Sequence, residues 1–232
     1  MKYKNMVEGT FIKRINRFIA EVIVDGQIER VHVKNTGRCK ELFIEGKKIF
    51  LQKSDNPDRK TKYSLITIYK GDMLVNIDSQ VPNKVIYDAI ENKEIEGFDN
   101  VVELRREVTY GKSRFDLYFK RENGSQGFIE IKGVTLERDG YATFPDAPTE
   151  RGAKHVRELT EALNEDYESY VIFLIQLKPV SYFTPNAVMD PNFSETLINA
   201  SKKGVHVLAF DAEVEPDGIS IGKPVPVIFE AD

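Results

Sequence analysis

Short runs of alternating apolar and polar residues dominate the first eighty positions of the chain. Two of these runs flank Asp25-Gly26, and an Asp-Gly pair in that position predicts a β-hairpin. We interpret 41–52 as a strand, a turn at Glu45-Gly46 and a second strand, and 63–78 as a further pair of strands. Five or six short strands in so short a stretch predict a small closed barrel rather than an open sheet.

The pattern changes after residue 80, where helical and strand periods follow one another. Apolar residues at helical spacing predict a helix over 82–94, with Pro82 near its start. The segments predicted after it are strands 101–109, 114–121 and 127–136, a helix from Thr149-Glu150 to 163, a strand buried on both faces at 168–177, a helix at 192–204 and a last strand at 205–214. We therefore divide the chain into a β-barrel, residues 1–80, and a mixed-sheet α/β domain, residues 81–232.

Charge is distributed unevenly between these two domains. The whole chain has a formal net charge of -4, which by itself argues against a nucleic-acid partner. Residues 1–80 hold 16 basic and 10 acidic residues, a net charge of +6, whereas residues 81–232 carry a net charge of -10. Because counterion release is a local effect, a basic domain binds a polyanion even within an acidic chain. The distribution favours binding of a polyanion such as a nucleic acid by the first domain.

Several classes of protein are excluded by composition. The 232 residues are 41% hydrophobic and 30% charged, as in an ordinary soluble protein. Cys39 is the single cysteine, so no internal disulfide can form, which fits a reducing compartment. The charged N-terminal region has no apolar run of the signal-peptide type, and the apolar stretch 170–177 is too short to span a membrane. We expect a cytoplasmic protein with no membrane partner, and its oligomeric state stays open.

The sharpest candidate chemistry lies on the three-stranded segment after the first helix. Asp116 is on the second of these strands, and Glu130 and Lys132 are on the third. Residues i and i+2 of a strand share a face, so Glu130 and Lys132 project together, and a short turn allows Asp116 to lie beside them. The two carboxylates are suitable ligands for Mg²⁺ or Mn²⁺. The lysine is suited to orient a metal-activated water or to offset the charge that develops on a phosphate. The alternative is a solvated strand face with a cross-strand ion pair.

The order of these residues resembles the signature of the restriction-endonuclease-like fold, an aspartate on one strand and Glu-x-Lys on the next. That resemblance implies a catalytic set of Asp116, Glu130 and Lys132, with the two carboxylates as metal ligands. In this fold the preceding helix often adds another acidic residue, and the first strand offers one more. The candidates are Asp88, Glu91 and Glu107, each of which is otherwise an ordinary exposed charge.

Five motifs occur in order over essentially the whole chain. They are HVKNTG at 32–37, SDNPDRK at 54–60, YGKSRFD at 110–116, IEIKGVTL at 129–136 and FPDAPTERGAKHVREL at 144–159. Together they resemble the sugar fermentation stimulation protein A (SfsA) family. The resemblance implies an N-terminal OB-like barrel, a C-terminal restriction-endonuclease-like domain, mostly non-specific DNA binding and a regulatory role in sugar (maltose) metabolism.

Basic and polar side chains form two groups that are candidates for contact with DNA phosphates. The group in the barrel comprises Arg14, Arg17, His32, Asn35, Arg38, Arg59 and Lys60, with Thr36 and Lys40 beside it. The group in the second domain comprises Arg114, Arg151, Lys154 and His155.

Most of the second group falls in the first turn of a helix, where cations are unfavourable against the helix dipole. Either a phosphate docks there or Asp146 and Glu150 neutralise the cations. His155 is a candidate general acid or base, or a packing residue.

Three functions compete at this point. The first is a DNA-binding protein with a Mg²⁺-dependent phosphodiesterase site, which the complete Asp, Glu-x-Lys set favours. The second is a DNA-binding regulator whose nuclease-like domain is catalytically silent. The third is a carbohydrate-binding protein, which the absence of tryptophan disfavours.

Overall fold

A computed structural model describes residues 1–35 and 37–229, so Thr36 lies outside the described residues. The chain begins with six strands that form a single sheet. They are β1 (Met6–Arg14), β2 (Ile19–Val24), β3 (Gln27–Val33), β4 (Lys48–Lys53), β5 (Tyr63–Lys70) and β6 (Met73–Asn76). The sheet order is β3-β2-β1-β4-β5-β6, and a parallel pairing of β3 with β5 closes the first five strands into a barrel. The predicted barrel is confirmed.

The first hairpin has the turn that its sequence predicts. Asp25 and Gly26 both have positive φ, at 50° and 77°, as the central residues of a type I′ turn require. The right-handed twist of such a turn matches that of β2 and β3, which pair from Ile19–His32 to Val24–Gln27.

The strand predicted over 41–44 is wrong. Residues 40–42 form a turn, in which the Leu42 N–H donates to the Cys39 carbonyl at 3.0 Å. Leu42 and Cys39 are both buried in the barrel core, and the ring of Phe43 lies 5.4 Å from that of Phe11. The apolar residues of this segment therefore close one part of the barrel core instead of joining a sheet.

The second domain is a mixed six-stranded sheet with helices on both faces. Its elements are α1 (Val81–Glu91), β7 (Val101–Tyr110), β8 (Ser113–Arg121), β9 (Gln126–Val134), β10 (Glu137–Arg138), β11 (Tyr141–Phe144), α2 (Glu150–Ala162), β12 (Tyr167–Ile175), β13 (Phe183–Pro185), α3 (Pro191–Lys202), β14 (His206–Glu215) and β15 (Gly218–Pro224). The sheet order is β15-β14-β12-β9-β8-β7. Strands β7 to β9 form the predicted antiparallel meander, and β9, β12 and β14 run parallel.

Side-chain alternation decides which helix each strand residue meets. On β9, Ile129 and Ile131 pack in the same cluster as α1, whereas Phe128 packs in the cluster that contains α2 and α3. Ile172 and Phe173 of β12 divide between the same two clusters, which explains the continuous apolar run of a strand buried on both faces. Glu130 and Lys132 share the α2 face with Phe128 by the same period.

Four short or peripheral strands have no counterpart in the sequence prediction. Strands β10, β11 and β13 form a small three-stranded sheet, and β15 adds an antiparallel edge to β14. Strands β10, β11 and β13 are two to four residues long, too short for a clear alternation, whereas the seven-residue β15 contains two glycines and a proline, residues that are depleted in strands. Among the described residues, no helix has the length and apolarity needed to cross a membrane.

A buried glutamine joins the two domains. Gln176 is 1% exposed, and its Nε2 donates to the carbonyl oxygens of Asn76 and Asp78, both at 3.0 Å. The Asn76 N–H in turn donates to the Gln176 carbonyl at 3.0 Å. The glutamine that interrupts the apolar run after β12 thus satisfies backbone groups at the end of the barrel.

Candidate functional site

The candidate site forms where two strands of the meander separate. The ladder between β8 and β9 runs from Lys120–Gln126 to Leu117–Ile129. One step further, the Ile131 N–H donates to the Asp116 carboxylate at 2.7 Å, so a side chain takes the place of a ladder carbonyl. The second oxygen of Asp116 accepts a hydrogen bond from Asn83 Nδ2 in the first turn of α1, also at 2.7 Å. These two bonds fix the Asp116 carboxylate at the opening.

Glu130 lies beside this opening, and its two carboxylate oxygens have different environments. Its Oε1 lies 2.5 Å from Lys132 Nζ and 2.5 Å from His155 Nδ1. Its Oε2 is buried and has no hydrogen-bond partner among the described residues. Glu130 as a whole is 3% exposed, and an unpartnered carboxylate oxygen is costly at such a depth. The geometry therefore calls for a further group at Oε2.

The two carboxylates differ in their protonation. Burial, together with the charge of Glu130, raises the pKa of Asp116 to about 6, although the Ile131, Lys132 and Asn83 contacts oppose the shift. Burial also disfavours the charged form of Glu130, but the contacts from His155 and Lys132 outweigh it and lower its pKa. Glu130 is the permanent charge of the pair, and Asp116 ionises close to neutral pH.

The donor set fits a hard divalent cation. Carboxylate oxygens are the ligands that Mg²⁺ prefers, and Mg²⁺ is usually held through one or two carboxylates while it keeps several waters. Within the described residues, no group of three His, Cys, Asp or Glu side chains is gathered as a ready ligand set. Asp116 and Glu130, with its buried Oε2 unpaired, are thus the residues that would hold such an ion.

The other predicted acidic ligands are not gathered with this pair into a set of three among the described residues, and each is either ion-paired or exposed. Asp88 forms ion pairs with Lys84 at 2.7 Å and Arg106 at 4.0 Å, and Glu91 is exposed at the end of α1. The Glu107 carboxylate lies 2.7 Å from Arg114. The residue that α1 contributes is Asn83, which the sequence analysis missed because an isolated amide in a first helical turn carries no chemical signal.

The second group of predicted phosphate contacts comes together in one concavity, which we name the α2 cleft. The cleft has a volume of about 490 Å³. Its lining residues are Lys112, Ser113, Arg114, Glu150, Arg151, Lys154, His155 and Arg157. His155 belongs to both places, because its Nδ1 contacts Glu130 and its Nε2 lies 3.4 Å from Arg151 Nε. A basic surface therefore borders the carboxylate pair.

Asp146 does not neutralise the cations of α2. Its Oδ2 accepts a hydrogen bond from the Arg38 N–H of the barrel at 3.0 Å. A methyl group added at Gly37 would lie 2.4 Å from the same oxygen and 2.9 Å from Asn35 Oδ1, so any larger residue would have to displace this carboxylate. The loop before α2 is thereby joined to the loop after β3, and Glu150 is the acidic residue that remains at the α2 cleft.

The barrel residues predicted to contact DNA have different environments. Arg14 donates to the carbonyl oxygens of four loop residues, at distances of 2.6 to 3.0 Å, so its guanidinium joins the β1–β2 loop to the loop after β3. Asn35 Oδ1 accepts the Gly37 N–H at 2.7 Å within the same loop. Arg17 and Arg38 line a shallow concavity with Arg14 and have no ion pair among the described residues.

The remaining barrel candidates lie near the β3–β5 pairing. His32 pairs with Ser64, whose hydroxyl accepts a hydrogen bond from Arg59 Nη2 at 2.8 Å. Burial, followed by the charges of Arg59 and Lys34, lowers the pKa of His32. Lys60 is exposed in the adjacent loop. This group offers two cations and a neutral imidazole rather than a third positive charge.

Comparison with known proteins agrees with this architecture. Residues 12–77 match the family described as the SfsA N-terminal OB domain, and residues 80–218 match the sugar fermentation stimulation protein RE domain. The chain is 54% identical over 235 residues to a sugar fermentation stimulation protein homolog of Alkaliphilus oremlandii, with 100% of both chains covered. It is 52% identical over 224 residues to the homolog of Clostridium botulinum strain Langeland, with 97% of both covered.

A solved structure extends the similarity to three dimensions. The structure of Pyrococcus furiosus SfsA in complex with Ca²⁺ superposes with a TM-score of 0.89 at 28% sequence identity, and 98% of each chain is covered. The barrel and the mixed-sheet domain are thus the OB and restriction-endonuclease-like domains that the sequence predicts. The chain belongs to the sugar fermentation stimulation protein A (SfsA) family.

Proposed function

We propose that this protein binds DNA without sequence preference and cleaves its phosphodiester bonds with the help of a divalent cation. The observation that carries the proposal is the buried, unpartnered Oε2 of Glu130, beside Asp116 and at the border of a basic cleft. The P. furiosus relative was solved with Ca²⁺, a cation that takes oxygen ligands as Mg²⁺ does, which supports a divalent ion in this chain too.

The residues of this chain divide the work of such a reaction. Asp116 and Glu130 would hold Mg²⁺ or Mn²⁺, which when bound activates water and neutralises phosphate charge. The Lys132 ammonium, held 2.5 Å from Glu130, offsets negative charge that develops on the phosphate. His155 orients the Glu130 carboxylate through Nδ1, and the cations of the α2 cleft and of the barrel hold the DNA backbone.

A cleavage assay tests this proposal. Labelled single- and double-stranded DNA is incubated with the protein and Mg²⁺ or Mn²⁺, and Lys132→Ala should slow cleavage roughly 100-fold. Lys120→Ala, a lysine at the far end of the β8–β9 pairing, serves as the matched control and should cleave as the wild type does. DNA affinity should change little in either variant, since one lysine is a small part of the cationic surface.

A catalytically silent DNA-binding regulator is the second candidate. The observation in its favour is that the described residues gather two carboxylates and no third ligating side chain. Metal-dependent cleavage that is absent, or equal in the wild type and Lys132→Ala, would favour this second function. In either case we propose that the protein influences sugar (maltose) metabolism through its binding to DNA. We also propose a cytoplasmic location, which the lone buried Cys39 fits.

A further inference from the structure

We infer that the α2 cleft is a binding site for a single phosphate group, with Ser113 as its central hydroxyl donor. Ser113 is the first residue of β8, it lines the cleft, and it is 6% exposed. Its Oγ is buried and has no hydrogen-bond partner among the described residues. Buried hydroxyl groups are nearly always paired, so an unpaired hydroxyl on a residue that lines a cleft points to a ligand that supplies the acceptor.

The charge of the cleft defines that ligand as an anion. Five of the lining side chains are cationic, and Glu150 is the single carboxylate among them. Arg114 and Lys154 have carboxylate partners outside the cleft, Glu107 at 2.7 Å and Glu158 at 3.6 Å. The three other cations have no ion-pair partner among the described residues; they are Lys112, Arg151 and Arg157.

The location of these cations is explained by the same ligand. Arg151 is the second residue of α2, a 13-residue helix, and lies in the first turn, where the positive end of the dipole disfavours a cation, whereas Lys154 lies beyond that turn, contrary to the sequence-based expectation. An anion bound there is stabilised by the helix end and by the cations together, so it offsets the repulsion between the positive helix end and the cations. Guanidinium forks, an ammonium and a hydroxyl offer donors in several directions, which matches the several oxygens of a phosphate.

The cleft is connected to the carboxylate pair by one side chain. His155 lines the cleft, and its Nδ1 lies 2.5 Å from Glu130 Oε1. A phosphate in the cleft would therefore lie next to the phosphodiester that the proposed function places at Asp116 and Glu130. The inference deepens that function, because it assigns a second phosphate of the nucleic acid to a defined subsite, either a backbone diester or a terminal monoester.

Binding of inorganic phosphate in EDTA, measured by isothermal titration calorimetry, tests the subsite without metal or cleavage. Ser113→Ala should weaken the affinity roughly tenfold, on the scale of one hydrogen bond to a charged group, and Arg151→Gln should weaken it at least as much. Arg30→Gln, an exposed arginine of the barrel, is the charge-matched control and should change affinity less than twofold. Absence of saturable binding, or equal affinity in Ser113→Ala, Arg151→Gln and the wild type, would overturn the inference.

Oligonucleotides then identify the source of the phosphate. A wild-type preference for a 5′-phosphorylated strand over its 5′-hydroxyl form, lost in Ser113→Ala, assigns the subsite to a terminal monoester. Equal wild-type affinity for both strands, lowered equally by Ser113→Ala, assigns it to a backbone diester. If the protein binds phosphate through Ser113 but cleaves no DNA, the subsite is supported and the proposed cleavage is refuted. If it cleaves DNA without such binding, the cleavage is supported and the subsite is refuted.

Discussion

Replacement of Asp116 by asparagine should reveal the free energy stored in a buried carboxylate. The pKa of Asp116 is raised from its ordinary 3.8 to about 6, mainly by burial. The folded state therefore binds this proton more tightly than the unfolded state does. The resulting stability is fully present below pH 3.8 and is lost as the pH rises through about 6, because ionisation is then disfavoured only in the folded state.

The size of the effect follows from these two pKa values. Between pH 5 and pH 7.5 the wild type should lose about 1.4 kcal/mol of unfolding free energy through this group alone. Asparagine has no proton to lose, so Asp116→Asn avoids this loss. The rearranged hydrogen bonds to Asn83 and Ile131 cost the same at both pH values and cancel in the comparison.

Urea denaturation in EDTA at the two pH values measures the effect. The unfolding free energy of Asp116→Asn minus that of the wild type should rise by about 1.4 kcal/mol from pH 5 to pH 7.5. Asp88→Asn, which alters a carboxylate in a partly exposed ion pair with Lys84, is the control and should show a much smaller change. A difference for Asp116→Asn that does not vary with pH would refute the reasoning. In a second arm at pH 7.5, Mn²⁺ should stabilise the wild type and not Asp116→Asn.

Three further predictions concern the loop after β3 and its contacts. Arg14→Lys loses the fork that binds four carbonyl oxygens, and urea denaturation should show a fall of about 1–3 kcal/mol in unfolding free energy. Gly37→Ala should destabilise the protein by about 1–3 kcal/mol. In a double-mutant cycle, Asp146→Ala in the same chain should recover part of that loss, because the contact with Asn35 Oδ1 remains; simple additivity would contradict the contact with Asp146. Arg17→Gln combined with Arg38→Gln should lower the slope of log DNA affinity against log salt by roughly 2, and an unchanged slope would show that neither arginine contacts phosphate.

Local periodicity was enough to predict much of this protein. The Asp25-Gly26 hairpin, the meander and the doubly buried β12 all follow from patterns that neighbouring residues impose on one another. The same period of two places Glu130 and Lys132 on one face, as the 2.5 Å contact between them shows. At 41–44 the apolar residues close a core, so the strand-like pattern was misleading, and in β10 and β13 the pattern was too brief to read.

Tertiary packing decided which distant residues contact the candidate acids and the loop after β3. His155 meets Glu130 across 25 positions, Asn83 meets Asp116 across 33, and Asp146 meets Arg38 across 108. Residue type likewise did not show that the donors of Arg14 are used by carbonyl oxygens of the loop after β3, more than twenty positions away. The sequence alone determined the folds of the two domains and the identity of the candidate acids and lysine, because strand and helix periods are local. The carboxylate with an open oxygen and the cleft beside it exist only in the folded chain, because distant segments must pack before their polar groups are paired or left unpaired.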